Sequence, residues 1–385
     1  MFLERKVQTP RLFESTSVNN MLLANRFIRS ATWEGLASDE GYSMPKLIKV
    51  LAQLARGGIG LIITSHTYVS REGQAGPWQL GVYSDGHIPG LAEMTRTIHA
   101  MGGKIAMQLA HAGSHAASRL SGLEPIGPLA TETESGLVGR EITRDDIEEV
   151  IEAFARAAVR ARKASFDAVQ IHAAHGYLLS QFFSPFFNKR KDEYGAGIEN
   201  RARLLVQVLR AIGKAVDPDF PVFIKLNSED FIPGGLTSED MLQTAAVLEE
   251  GGIDAIEMSG GTFLSGKNSF SRRGKPDPGE PEAYYETAAR RYKEKIRTPL
   301  MLVGGICTFE TAEKLVTEGV ADYIALSRPL IREPGLVNRW KSGDRRSASC
   351  LSNNRCFKPA LEGRGIHCVV EALDKGSGGN TDDST

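Results

Sequence analysis

The sequence predicts an α/β protein folded as one single-domain (β/α)8 TIM barrel. Eight short apolar or β-branched runs, each suited to a strand, alternate with eight amphipathic stretches suited to helices. Eight strand–helix repeats is the number that closes a parallel barrel. The chain has 385 residues, 41% of them hydrophobic, which is enough for one large domain of this kind. An open doubly wound sheet is the alternative, but no Gly-x-Gly-x-x-Gly turn follows the first run.

Sequence signals delimit the repeats. Thr143 and Thr237 each precede an aspartate by three residues, close to the capping box that starts a helix, and glycine pairs follow three helical stretches. The predicted strands are Phe27–Thr32, Gly60–Thr67, Lys104–Leu109, Asp167–Ile171, Pro221–Leu226, Asp254–Ser259, Pro299–Gly304 and Asp322–Ser327. The predicted helices are Pro45–Arg56, His87–Met101, Thr143–Ala164, Glu199–Ala215, Thr237–Glu250, Glu282–Lys295, Phe309–Glu318 and a last one near Glu333–Lys341.

The domain is predicted to occupy residues 1–372, with a cysteine-containing extension at 343–372. The tail 373–385 is polar and glycine-rich, so it is expected to be disordered. The long Gly-, Ser- and Pro-rich connection 111–143 is expected to form a wall or lid on the carboxyl-terminal face of the barrel.

Charge and hydropathy restrict the classes of partner. Basic and acidic residues nearly cancel, 46 against 47, and no Lys/Arg-rich block with interleaved aromatic residues occurs, so nucleic acid is not an expected partner. The first residues lack the apolar core of a signal peptide, and no apolar run approaches the roughly 20 residues that span a bilayer. We therefore expect a cytoplasmic protein, off the membrane, that acts on a small molecule; a homo-oligomer is left open.

The last two predicted strands carry a phosphate-binding pattern. Gly304 and Gly305 let backbone amides approach an oxyanion, and Arg328 supplies a planar guanidinium fork beside Ser327. Barrels commonly bind phosphate at the ends of their seventh and eighth strands. A phosphorylated ligand is therefore favoured over a merely tight turn, and at this point it is either FMN or a sugar phosphate.

Other strand ends favour a flat, partly anionic ring. Gln108 offers a donor and an acceptor, as a uracil-like edge requires, and Lys225 offers a positive charge for the N1–C2 carbonyl region of a reduced flavin. The small residues of Ser30-Ala31-Thr32 allow backbone contact with a ring. His172, His175 and Tyr177 follow the fourth predicted strand, so polar chemistry is concentrated where barrel active sites form.

Several motifs, in this order along the chain, resemble the Old Yellow Enzyme family of flavin reductases over about Leu12 to Trp340. The resemblance is most specific in the block from His172 to Arg201. The motifs are Asn25-Arg26-Phe-Ile, Gln108-Leu-Ala-His-Ala-Gly113, His172-Ala-Ala-His-Gly-Tyr177, Asp192-Glu-Tyr-Gly195, Glu199-Asn-Arg201, Gly304-Gly305 and Ser327-Arg328.

The resemblance implies an FMN-dependent NAD(P)H oxidoreductase that reduces the C=C bond of α,β-unsaturated carbonyl compounds. His172 and His175 would hold the carbonyl oxygen while the β-carbon accepts hydride from flavin N5, and Tyr177 would protonate the α-carbon. The charged block 188–201 would be scaffolding that pins the loop carrying Tyr177. The residues that the resemblance places around FMN are Ser30, Ala31, Thr32, Trp33, His66 through its backbone, Gln108, Lys225, Gly304, Gly305, Ser327 and Arg328.

Two alternatives concern the histidine pair and turnover. His172-x-x-His175 could bind a metal, but helical i, i+4 spacing and a carboxylate ligand are missing, so no metal is expected there. A flavin-binding barrel without turnover is the non-enzyme alternative, against which the intact set of two histidines and Tyr177 argues.

The chain also departs from the family pattern. Trp33 stands where many members place a Thr or Cys beside the flavin, and Trp33-Glu34-Gly35 resembles the 2,4-dienoyl-CoA reductase branch. In that branch four cysteines behind the barrel hold a [4Fe–4S] cluster, whereas here Asn353 replaces the second. A relic is favoured over a three-cysteine metal site at Cys350, Cys356 and Cys368. A truncated relative of that branch, acting on acyl-CoA or with an electron-donor partner, is the enzyme alternative.

Overall fold

The computed structural model describes residues 10–133, 136–274 and 281–371. The strands, in chain order, are β1 (Thr16–Val18), β2 (Met21–Leu23), β3 (Phe27–Arg29), β4 (Leu61–Tyr68), β5 (Ile105–Ala110), β6 (Ile126–Gly127), β7 (Thr131–Thr133), β8 (Gly136–Glu141), β9 (Ala168–Ala173), β10 (Val222–Asn227), β11 (Ala255–Ser259), β12 (Leu300–Val303) and β13 (Tyr323–Leu326). The helices are α1 (Pro45–Arg56), α2 (Ile88–His99), α3 (Ser118–Ser121), α4 (Arg144–Lys163), α5 (Leu178–Phe183), α6 (Ile198–Arg201), α7 (Arg203–Ala215), α8 (Ser238–Glu250), α9 (Glu286–Lys295), α10 (Phe309–Thr317), α11 (Arg328–Arg332), α12 (Leu336–Lys341) and α13 (Phe357–Leu361).

Eight parallel strands close into a barrel in the order β3-β4-β5-β9-β10-β11-β12-β13, with β13 pairing back to β3. Each of them corresponds to one of the eight predicted strands. The prediction of a (β/α)8 barrel is therefore confirmed, and the doubly wound alternative is wrong. Closure needs every strand to tilt and stagger, so side chains from different strands meet in layers inside the barrel.

The lower layers of the interior are apolar. Ile28, Ala168, Phe223 and Met301 point inward with other buried side chains, and the hairpin of β1 and β2 adds Val18 and its neighbours beneath them. These residues exclude water from the amino-terminal half of the barrel, since all four are fully buried. Polar side chains are consequently restricted to the layers at the carboxyl ends of the strands.

The strand register assembles those polar layers. Gln108 pairs with Gln170 across β5 and β9, while Lys225 pairs with His172 on one side and with Glu257 on the other. Paired residues in neighbouring strands point to the same face, so all of these side chains enter the interior. Residues far apart in sequence are thereby brought into one site.

The charged block after α5 braces the carboxyl-terminal face, as expected. Arg190 forms an ion pair with Asp192 (2.6 Å) and donates to the carbonyl oxygens of Pro128 and Ile142. It therefore ties this loop to the 111–143 connection, which contains the small sheet β6-β8-β7. Arg201 donates to the carbonyl oxygen of Phe183 at the end of α5 (3.0 Å). Arg201 thus holds the carboxyl-terminal end of the helix that begins after Tyr177.

The division into a barrel with an extension at 343–372 and a tail at 373–385 stays a prediction. The tail lies outside the described residues, as does 372, so its expected disorder has no outcome here. Among the described helices, none combines the length and apolarity that crossing a bilayer demands.

Both predicted capping boxes are present. The Thr237 hydroxyl accepts from the amide of Asp240 (3.1 Å), and the Asp240 carboxylate accepts from the amide of Thr237 (3.1 Å). Thr143 and Asp146 repeat this arrangement at the start of α4. We expect Thr237→Ala to lower the free energy of unfolding by about 1 kcal/mol, because an orphan amide loses its acceptor.

Urea denaturation followed by circular dichroism measures this loss. Thr97→Ala is the control, since the Thr97 hydroxyl bonds only the carbonyl of Glu93 within α2 and alanine is a good helix former. Equal destabilisation by both substitutions would contradict a capping role for Thr237.

Candidate active site

An open cavity lies at the carboxyl ends of the barrel strands, and all three predicted catalytic residues and all eleven predicted cofactor-binding residues line it. Sequence reasoning missed several other residues of the wall. These come from the end of β11, from the loops after β11 and β12 and from the carboxyl-terminal extension, where no short motif indicated them. They include Ser259, Phe263, Phe270, Tyr284, Tyr285, Cys307, Cys350 and Ser352.

A buried polar network forms the floor of the cavity. Lys225 Nζ donates to Ser30 Oγ (2.8 Å) and to Glu257 Oε1 (3.0 Å), and Ser30 Oγ donates to the same carboxylate oxygen (2.5 Å). Gln170 Nε2 donates to Glu257 Oε2 (2.9 Å), and Gln108 Nε2 donates to Gln170 Oε1 (2.7 Å). Buried polar groups need hydrogen-bond partners, and each of these side chains has at least one.

The glycine pair at the end of β12 forms a tight cradle. Gly304 and Gly305 have φ values of +114° and +81°, which disfavour residues that carry a Cβ. A Cβ on Gly305 would lie 1.8 Å from the carbonyl oxygen of Glu282, and one on Gly304 would lie 2.7 Å from the Tyr285 ring. Only glycine therefore fits both positions, and the backbone is left open to an incoming group.

Arg328 is fixed at the other side of this cradle. Its Nη1 donates to the carbonyl oxygens of Arg272 (2.5 Å) and Ser352 (3.1 Å) and to Asn354 Oδ1 (2.8 Å). The extension after the barrel therefore holds the guanidinium in place. Ser327 Oγ lies 2.8 Å from Thr32 Oγ1, which joins the ends of the eighth and first barrel strands.

His172 and His175 stand above the floor. The His172 ring is buried, and its Nδ1 has no hydrogen-bond partner among the described residues. His175 adopts a left-handed conformation (φ +64°), and its amide donates to Asn227 Oδ1 (3.1 Å). Its Nε2 lies 2.8 Å from Ser259 Oγ. An orphaned imidazole nitrogen in a cavity wall indicates a site that expects a ligand.

Tyr177 and His66 complete this side of the cavity. The Tyr177 ring lies edge-on to His172 with their centroids 5.0 Å apart, and the His66 ring lies 5.6 Å from Tyr177. The His66 carbonyl oxygen, which was expected to face the cofactor, accepts from Gln79 Nε2 (2.9 Å). His66 lines the cavity, and the contribution of its backbone to cofactor binding stays a prediction.

Burial tunes these groups in one direction. Desolvation lowers the pKa of His66 to about 4 and holds the pKa values of His172 and His175 well below the ordinary histidine value. It raises the pKa of Tyr177 above the ordinary tyrosine value. At neutral pH the cavity therefore contains neutral imidazoles and a protonated phenol.

The mouth of the cavity is aromatic. Phe270 stacks on His175 (4.6 Å between centroids) and meets Phe263 edge-on (5.0 Å), while Phe263 also lies 5.8 Å from Tyr177. Trp33 adds its indole to the wall, so the departure from the family pattern lies in the cavity itself. This part of the cavity wall is thus aromatic.

The three cysteines of the extension surround a small neighbouring cavity that Arg328 separates from the main one. Cys350 borders both cavities, and burial raises the pKa of the Cys356 thiol to about 11. Within the described residues, no group of three or more His, Cys, Asp or Glu side chains is arranged to hold a metal ion. Asn353 occupies the position of the missing cysteine. Its neighbour Asn354 accepts a hydrogen bond from Arg328.

Comparison with protein families decides the assignment. A family model described as NADH:flavin oxidoreductase / NADH oxidase matches residues 11–346. The chain belongs to this family. The resemblance to Old Yellow Enzyme barrels is thereby confirmed, and the family brings FMN as its cofactor.

Two curated relatives illustrate the match. An NADH oxidase of Thermoanaerobacter brockii is 34% identical over 353 residues, which are 90% of this chain and 53% of that protein. An NADPH dehydrogenase of Halalkalibacterium halodurans is 36% identical over 326 residues, 84% of this chain and 92% of that protein. The chain thus spans about half the length of some curated relatives and nearly all of others.

Solved structures agree. A 2-naphthoyl-CoA reductase, in complex with 2-naphthoyl-CoA, superposes with a TM-score of 0.86 at 28% identity, covering 94% of this chain and 56% of that one. The Old Yellow Enzyme homologue of Zymomonas mobilis superposes with a TM-score of 0.76 at 28% identity, covering 95% and 99% of the two chains. The similarity to a CoA-ester reductase fits the second resemblance of the sequence.

The residues of this cavity fit the flavin of the family. The glycine cradle and Arg328 suit the phosphate, and Gln108 and Lys225 present an amide and a positive charge to the pyrimidine edge. Ser30, Ala31 and Thr32 are small enough to lie against the ring. The residues predicted to hold the cofactor and the two histidines thus line one cavity.

The depressed histidine pKa values predict acid sensitivity. A histidine whose pKa is lower in the folded protein than in the unfolded chain makes the unfolded chain bind more protons, so stability falls as pH falls from about 6.5 towards 4. His66 is partly exposed, so we expect it to contribute about 1–3 kcal/mol of this loss by pH 4.

Urea unfolding midpoints from pH 7 to pH 4 test the prediction in wild type and His66→Gln. His367→Asn is the control, at an exposed histidine whose Nδ1 bonds the backbone carbonyl of Gly365. The His66 variant should lose less stability on acidification than wild type does, and identical pH profiles would show that His66 is not desolvated.

Proposed function

We propose that the protein is an NAD(P)H-dependent FMN oxidoreductase that reduces the C=C bond of α,β-unsaturated carbonyl compounds. The observation that carries the proposal is the orphaned Nδ1 of His172 beside His175 and Tyr177, in a cavity that also fits FMN. Family membership supports the flavin and the nicotinamide. The wall residues support the choice of acceptor.

The two histidines would bind the carbonyl oxygen of the acceptor. Their rings lie 5.2 Å apart at 78°, so two N–H groups can converge on one oxygen. Because their pKa values are low, both imidazoles are neutral donors at pH 7. Donors held in a water-poor pocket stabilise negative charge that develops on an oxygen, which is the work of an oxyanion hole.

Tyr177 would deliver the proton. Burial raises the pKa of its hydroxyl, so the phenol stays protonated and available to a carbanion at the α-carbon. Bound FMN supplies the hydride that the β-carbon accepts. The His66, His172 and Phe263 rings around Tyr177 fix its direction and keep water from competing with it.

One cavity serves both substrates in this proposal. The aromatic mouth formed by Phe263, Phe270 and Trp33 suits a nicotinamide ring as well as an unsaturated carbonyl compound. NAD(P)H and the alkene would therefore bind in turn, and steady-state kinetics should be ping-pong.

Tyr177→Phe separates the two half-reactions. We expect anaerobic stopped-flow to show 10- to 1000-fold slower reoxidation by cyclohexenone, because the proton donor is gone, with NADPH reduction of the flavin changed less than threefold. Tyr42→Phe, at an exposed tyrosine, is the control. An equal loss in both half-reactions would remove Tyr177 from the role of proton donor.

A second acceptor class is an α,β-unsaturated acyl-CoA thioester. The TM-score of 0.86 with the 2-naphthoyl-CoA reductase favours it. The ratio of kcat/KM for crotonyl-CoA to that for cyclohexenone decides between the two classes, since a free enone lacks the CoA moiety. A flavin that NADPH bleaches but that neither acceptor reoxidises would favour the flavin-binding barrel without turnover.

A further inference from the structure

Glu257 belongs to the polar network of the cavity floor, but the proposed reaction gives it no part. It lies on β11, is fully buried, and does not line the cavity. A carboxylate inside a barrel is costly unless it is paired and hydrogen-bonded. Glu257 receives hydrogen bonds from Lys225, Ser30 and Gln170, so it is fully engaged by groups that do border the cavity or lead to it.

The carboxylate imposes a direction on the amides next to it. An ionised carboxylate only accepts hydrogen bonds, so Gln170 must turn its Nε2 towards Glu257. Gln170 therefore presents Oε1 to Gln108, which donates a hydrogen bond to it from Nε2. This turns Oε1 of Gln108 away from Gln170. The orientation of a cavity amide is thus decided by a charge two side chains away.

The same carboxylate offsets the charge of Lys225. Both side chains are almost entirely excluded from solvent, at 0% and 3% exposure, and their charged atoms lie 3.0 Å apart. Ser30 bridges them, bonding to both. In a region of low dielectric constant a neighbouring negative charge strongly weakens the field that an ammonium group projects. The cavity consequently faces a neutralised cation.

We propose that Glu257 is a positioning residue that sets both the reduction potential and the binding geometry of the flavin. It acts through two branches: it tempers the positive charge of Lys225, and it orders Gln108 through Gln170 so that Gln108 Oε1 accepts from an N–H of the pyrimidine edge. Reduction adds negative charge to the flavin, so the tempered cation favours oxidised flavin more than an unpaired Lys225 would.

Three substitutions separate the branches. Glu257→Gln removes the negative charge, and Lys225→Met removes the positive charge. Gln170→Leu cuts the amide relay and leaves both charges. Glu34→Gln is the matched control, because Glu34 is a buried acid paired with Arg29 and neither lines the cavity.

The readouts are the midpoint potential of bound FMN, from anaerobic titration against a reference dye, and the Kd for FMN, from titration of apo-protein. Glu257→Gln should raise the ratio of reduced to oxidised flavin at a fixed potential at least tenfold, an upward shift of about 30 mV for two electrons. Lys225→Met should shift the ratio in the opposite direction. Gln170→Leu should weaken FMN binding at least fivefold and change the ratio less than threefold, and Glu34→Gln should change neither quantity more than threefold.

A lower or unchanged potential in folded Glu257→Gln would overturn the charge branch. An unchanged FMN Kd in Gln170→Leu would overturn the relay. Should Glu257→Gln fail to retain FMN, the double variant Lys225→Met/Glu257→Gln replaces it. Its potential should lie above that of Lys225→Met, and a potential equal to that of Lys225→Met would refute the role of Glu257.

Discussion

Closure of eight parallel strands into one barrel is the constraint on which the rest of this structure depends. It brings the carboxyl ends of all strands to one rim and turns inward the side chains that share a register. His172, Lys225 and Glu257 sit on three neighbouring strands and meet for this reason alone. The apolar layers below them exclude water, so the polar side chains of the barrel interior lie at the cavity end.

Burial then sets the protonation states of the side chains in the site. The same desolvation that lowers the histidine pKa values raises that of Tyr177, so neutral imidazoles and a protonated phenol coexist at neutral pH. The buried ammonium group of Lys225 in the floor is tolerated because the Glu257 carboxylate lies beside it. A neutral set of donors over a neutralised floor suits chemistry in which charge appears only as the reaction proceeds.

Much of this could be predicted from the sequence, for identifiable reasons. An apolar run that stops at polar residues indicates the end of a strand. His172, Gln108 and Lys225 were therefore found by their position as much as by family resemblance. Gly304 and Gly305 were found because paired glycines at the end of the seventh predicted strand let backbone amides approach an oxyanion. Each of these signals is local, and local signals survive in a single sequence.

What escaped prediction depends on contacts between distant segments. Glu257 looks like any polar residue in an alternating strand until register sets it beside Lys225. The hydrogen bonds from Arg328 to Ser352 and Asn354 depend on the path that the extension takes, and composition does not encode that path. The stacking of Phe270 on His175 likewise arises from a loop whose course is fixed only by tertiary packing.

The most direct test of the account is a crystal structure of the protein with FMN bound. We expect the phosphate at Gly304, Gly305 and Arg328, the pyrimidine edge within hydrogen-bonding distance of Gln108 and Lys225, and His172, His175 and Tyr177 on the open side of the ring. A flavin whose phosphate lies elsewhere on the barrel, or whose ring leaves Tyr177 and the two histidines without access to it, would contradict the account.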